Sequence, residues 1–87
     1  MSLVAYPIIL QQDKYQKGYQ VQVPDIPGIL AYGRTEQEAI SNTQDEIKAM
    51  IPEMNYFPEP SLKTEIRIES NAILAMAIVD IQQLNLY

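Results

Sequence analysis

The stretch Val23-Pro24-Asp25-Ile26-Pro27-Gly28-Ile29, followed shortly by Gly33-Arg34-Thr35-Glu36-Gln37-Glu38-Ala39, decides the fold of this chain. Pro24 has no N–H to give to a sheet ladder, so a strand through Tyr19, Val21 and Val23 stops there. Asp25 suits a turn, because its carboxylate can accept the backbone N–H two residues on. Pro27-Gly28 supplies a fixed φ and then the positive φ of a type II turn, so the chain reverses between Val23 and Ile29. Gly33 permits a sharp exit from the next strand. Thr35 stands at an N-cap position, and Glu38 three residues later completes a capping box. Glu36 and Glu38 also place negative charge at the positive end of the helix dipole. Pro24, Pro27, Gly28, Gly33, Thr35 and Glu38 therefore all have structural work available, and none of it is catalytic.

Outward from this unit the periodicities continue the pattern. Leu3 to Gln11 is nearly unbroken apolar sequence and reads as a buried strand. Asp13 to Gly18 is a polar hairpin loop, and Tyr19 to Val23 alternates as a strand with one dry face. Ile29 to Gly33 forms the third strand. From Glu36 to about Met50, Ala39, Ile40, Thr43, Ile47, Met50 and Ile51 recur at helical spacing, and Pro52 closes the helix. Glu53 to Pro60 is a Pro-rich connector, and Ser61 to Glu69 fits either a short helix or a strand. Asn71 to Ile81 is apolar on both faces, with Ile73, Ala75, Ala77, Val79 and Ile81 on one and Leu74, Met76 and Ile78 on the other. That pattern suits a central or doubly covered strand.

The reading is an α+β fold ordered β-β-β-α-β, a three-stranded antiparallel meander with one crossover helix and a fourth strand. The crossover predicts that the last strand lies parallel to a neighbour, the first being the best candidate. One helix covers one sheet face. The other still presents apolar residues, to be covered by the 53–69 connector or by a second molecule, which points to a dimer or higher oligomer.

Composition narrows the chemistry. The chain has 87 residues, enough for one domain spanning 1–87, in which about 60–65% of the unfolded surface can be buried. It contains neither Cys nor His. Disulfides, thiolate nucleophiles and Ser-His or Cys-His pairs cannot be built, and an ordinary zinc or copper site lacks its usual ligands. No cofactor is expected. The formal net charge is −5, and Lys14, Lys17, Arg34, Lys48, Lys63 and Arg67 are scattered along the chain, so phosphate backbones should repel it. A basic protein is the better-matched partner, although acidity also serves simple solubility. The chain carries no membrane-spanning run, and Met1-Ser2-Leu3-Val4 lacks the basic region of a signal peptide, so a cytoplasmic protein is expected.

The motifs in order resemble the HicB family, the antitoxin half of HicA–HicB toxin–antitoxin pairs. Tyr6-Pro7, Gly18-Tyr19, Pro24-Asp25-Ile26-Pro27-Gly28, Gly33, Thr35, Glu38, Ala39 and Pro58-Glu59-Pro60-Ser61 carry the resemblance, across roughly residues 3–80. It implies a degenerate ribonuclease-H-like fold that is not a nuclease, and a function in binding and neutralising a small, basic, mRNA-cleaving HicA-type toxin. Many relatives add a C-terminal DNA-binding module, for which this chain ends too soon. The alternative is an orphan homo-oligomeric scaffold with no toxin. Hydrolysis of nucleic acid is a third reading, disfavoured because nothing shows Asp25, Glu36, Glu38 and Asp80 converging on a metal.

Candidate partner-binding residues are Asp25, Tyr32, Tyr56, Phe57 and Glu59. Asp25 could contact a basic toxin surface, but such a residue is more often simply a turn-former. Tyr6 and Tyr32 could stack on bases, but without a basic patch they suit core or interface packing better. Tyr56, Phe57 and the tail residues Leu84, Leu86 and Tyr87 can fold back on the domain or meet a partner.

Overall fold

A computed structural model describes residues 3–15, 17–54 and 56–80 of the chain. It contains β1 (Leu3–Gln12), β2 (Tyr19–Gln22), β3 (Leu30–Gly33), α1 (Glu36–Met54) and β4 (Ala72–Asp80). The α+β class and the β-β-β-α-β order are as read from the sequence. The four strands form one sheet in the order β3-β2-β1-β4.

Side-chain alternation divides the sheet cleanly. Tyr6, Ile8 and Leu10 of β1 are buried, and their register partners Ala77, Ala75 and Ile73 lie on the same face. Val21 joins them from β2, opposite Leu10. Against this face α1 turns Ala39, Thr43, Ile47 and Ile51, all buried, with Ile40 and Met50 packed beside them. Burying an isoleucine such as Ile47 or Ile51 stabilises by about 1.5–3 kcal/mol. Thr43 tolerates its place because its hydroxyl donates to the Ala39 carbonyl at 2.7 Å.

Two sequence expectations are corrected. First, α1 runs through Pro52 to Met54 rather than ending before the proline. Pro52 lies in the last turn, where it removes one helical bond, and the buried Ile51 with the packed Met50 and Met54 holds the backbone helical despite it.

Second, β4 is antiparallel to β1, not parallel, and among the described residues it forms a sheet edge rather than a central strand. The cause is the connector at residues 56–71. α1 returns the chain to the end of the sheet where β1 begins. A strand starting there would run parallel to β1. Instead the connector passes the Pro58 carbonyl beside Tyr6, Ser61 beside Asp25 and Glu69 beside Gln11, climbing the length of β1. β4 then starts at the far end, with Ala72 opposite Gln11. The ambiguous 61–69 segment contains one 3₁₀ turn, Lys63–Glu65, and no strand. The predicted last-strand residue Ile81 lies outside the described residues.

Candidate functional site

The β2–β3 connection is two turns in series. The Ile26 N–H donates to the Val23 carbonyl at 3.0 Å, and the Ile29 N–H to the Ile26 carbonyl at 3.5 Å. Pro24 and Pro27 occupy the second position of each turn, where a preset φ fits. Gly28 follows with φ +99°. A Cβ there would meet no atom within 4 Å, so backbone conformation, and not space, selects glycine.

Asp25 does not cap its own turn as the sequence suggested. Its carboxylate accepts the Ser61 backbone N–H at 2.9 Å and the Ser61 hydroxyl at 2.6 Å. These partners lie thirty-six residues along the chain, beyond what local turn rules consider. Beside this clasp the buried Tyr6 hydroxyl donates to the Pro58 carbonyl at 2.6 Å. Burial raises the Tyr6 pKa above 10.0, and the negative charge of Asp25 adds to the effect. Tyr6 thus belongs to the core and is closed to base stacking. The segment Pro58-Glu59-Pro60-Ser61 is the strap of the connector, anchored to the sheet at two points.

At the helix start, the Glu38 N–H donates to Thr35 Oγ1 at 3.1 Å, as predicted for an N-cap. The reciprocal bond is displaced by one residue: Glu38 Oε1 accepts from Arg34, not from Thr35. Gly33 serves close approach, since a Cβ there would lie 2.2 Å from the Ala39 nitrogen. That is a packing requirement and differs from the strand exit inferred from the sequence.

Above the clasp the connector lies on the face opposite α1. With β1 and the double turn it bounds a groove of about 620 Å³, walled by Ile9, Pro27, Ile29 and Leu30 on one side and by Glu65, Ile66 and Arg67 on the other. The expected second apolar face is therefore partly covered by the connector. Leu3, Leu30, Leu62, Ile68 and Ile78 stay exposed.

The predicted partner-binding residues do not converge on one spot. Asp25 is half-buried in the clasp. Glu59 and Tyr56 are exposed on the strap, but Phe57 packs against the core. Tyr32 is at the other end of β3, with its hydroxyl donating to the Lys17 carbonyl. Leu84, Leu86 and Tyr87 lie outside the described residues. Sequence reasoning named Ser61 only within the family motif and missed its bond to Asp25, and it missed the Glu65–Arg67 wall. Their signal was weak, a serine after a proline and one loop with both charges, because each matters only through a distant neighbour. Among the described residues no three carboxylates gather where they could hold a metal ion, and no helix is long and apolar enough to cross a membrane.

A four-stranded antiparallel sheet with one helix on one face and a strapped, partly apolar surface on the other defines a small two-layer α+β domain. Residues 6–86 match the family described as "HicB_like antitoxin of bacterial toxin-antitoxin system". The chain belongs to this HicB-like antitoxin family. It is 31% identical over 81 residues to Antitoxin HicB 2 of Photorhabdus laumondii, a match covering 85% of this chain and 55% of that relative. The chain therefore spans about half the length of that curated relative. Its fold is similar to the crystal structure of the Burkholderia pseudomallei antitoxin HicB, with TM-score 0.78 and 28% identity over 94% of this chain and 67% of that one. It is also similar to the crystal structure of the N-terminal domain of the same antitoxin, with TM-score 0.72 and 30% identity, covering 88% of this chain and 99% of that domain.

Proposed function

We propose that this chain, as a single HicB-like domain over residues 1–87, binds and neutralises a small, basic, mRNA-cleaving toxin of the HicA type in the cytoplasm, and cuts no RNA itself. The observation that carries this reading is membership of an antitoxin family across residues 6–86. The net charge of −5 supports it, because complementary potentials speed encounter with a basic partner. So does the lack of His and Cys, which leaves the chain without the common nucleophile–base pairs. Toxin contact is assigned to Asp25, Tyr56 and Glu59 on and beside the strap, and to Tyr32 separately at the far end of β3. Phe57 supports this surface from the core side. The domain acts as a dimer or higher oligomer.

Co-expression with a basic HicA-type toxin from the same genome tests the proposal. Rescue of growth and a purified complex at low salt are expected. Persistent growth arrest with no complex would leave an orphan, self-associating scaffold as the function.

A further inference from the structure

Among the described residues β4 pairs with β1 alone as a strand, and the direction of the backbone groups between Ile73 and Val79 follows from β1. Pro7 has no N–H for a ladder, and Asp13, on the same alternation, gives its N–H to Gly18 on the β2 side at 3.1 Å. Odd-numbered residues of β1 therefore direct their backbone groups toward β2. Even-numbered Val4, Tyr6, Ile8 and Leu10 direct theirs to Val79, Ala77, Ala75 and Ile73 of β4. The intervening Leu74, Met76 and Ile78 turn their N–H and C=O groups outward along the free edge. Ala72 fits this alternation, because its N–H goes to the Glu69 carbonyl at 3.0 Å and not to β1.

Among the described residues this edge has none of the usual protections against pairing. Its register against β1 runs unbroken from Leu3↔Asp80 to Gln11↔Ala72, so no bulge twists it away. Ala72 to Val79 contains no charge, proline or glycine. Leu74, Met76 and Ile78 also share the sheet face opposite α1, and Ile78 is 48% exposed.

We propose that two copies of this chain pair antiparallel through their β4 edges about a two-fold axis at Met76, making one continuous sheet. This rests on the self-association proposed above and names its surface. Met76 faces its counterpart, and each Leu74 faces an Ile78 of the other copy, so every outward backbone group between them is used. The facing side chains form an apolar strip on the sheet face away from the helices. Asp80 falls opposite Ala72, which holds the two acidic ends at opposite extremes of the interface. An isologous contact of this kind closes on itself. The edge carries no charge with which to read a basic toxin, so a second copy suits it better than a toxin strand.

The test uses the full chain in analytical ultracentrifugation at high micromolar concentration, where twice the 9.9 kDa chain mass is expected. Ile78→Pro removes an outward N–H that the β1 ladder does not use. It should give a folded chain, checked by circular dichroism, whose dimer dissociation constant rises at least tenfold. Ile78→Lys should act in the same direction and serves if the proline variant fails to fold. Ala75→Pro removes an inward N–H and should instead unfold the chain. Because the protein has no cysteine, Met76→Cys supplies one thiol. It should crosslink the dimer on mild oxidation, as facing Cα atoms about 5.5 Å apart allow, while Leu30→Cys on the opposite sheet edge should not. A monomeric parent chain would overturn both the edge pairing and self-association. A dimer indifferent to both Ile78 variants and not crosslinked through Met76→Cys would overturn the edge alone. A monomer that engages the toxin through this edge would replace the second copy with a partner strand.

Discussion

Individual residues hold this fold at a few non-interchangeable points. Gly28 is one, because φ +99° is costly for any side chain and worst for a β-branched one. Gly28→Val should lower stability by at least 1 kcal/mol, and Thr35→Ala by about 1 kcal/mol through loss of the helix cap; urea denaturation measures both. Tyr6 is another. Its pKa is raised in the folded state, first by burial and then by Asp25. Above about pH 10 the unfolded chain therefore loses the Tyr6 proton while the folded chain keeps it, and stability falls as pH rises through that range. Tyr6→Phe should cost about 1 kcal/mol at neutral pH, where it removes the bond to the Pro58 carbonyl. It should also flatten the alkaline decline. Parallel unfolding curves at pH 8 and pH 11 would check this, and an unchanged alkaline slope would contradict the assignment.

Among the elements, the connector matters more than its lack of regular structure suggests. It reverses the direction of β4 and covers part of the second face, and the Asp25–Ser61 clasp holds it. A double-mutant cycle on Asp25→Ala and Ser61→Ala should give a coupling of about 1 kcal/mol, modest because both groups are only half-buried. Limited proteolysis should cut Asp25→Ala faster within residues 56–71 and leave α1 intact. The junction of β3 and α1 is less forgiving. A Cβ at Gly33 meets Ala39 backbone atoms, which cannot swing aside as a side chain can. Gly33→Ala should therefore destabilise by about 2–3 kcal/mol in chemical denaturation, as overpacking does.

At the level of the whole molecule, charge and shape are separated. The net charge of −5 is a property of the composition, whereas the charge-free run Ala72 to Val79 lies at the sheet edge. Association with a basic toxin should slow as salt rises, and dissociation should change much less, because screening acts on encounter and not on packed contacts. Stopped-flow or surface-binding kinetics across an ionic-strength series would show this. Self-pairing through an uncharged edge should respond far more weakly to the same series.

Local chemistry made much of this legible from the sequence. The double-proline turn, the Thr35 cap, the inner face of α1 and the two faces of the last strand all follow from interactions within a few residues, where φ preference, capping and periodicity decide. Family membership followed too, since an ordered set of turn and cap residues can be read without knowing what they touch. The tertiary structure alone decided three things: the helix through Pro52, the partner of Asp25 and the antiparallel β4. In each, a contact remote in sequence prevailed over a local preference. Ile51 burial held Pro52 in the helix, Ser61 captured the Asp25 carboxylate, and a connector tied at Tyr6, Asp25 and Gln11 carried the chain to the far end of the sheet before β4 began.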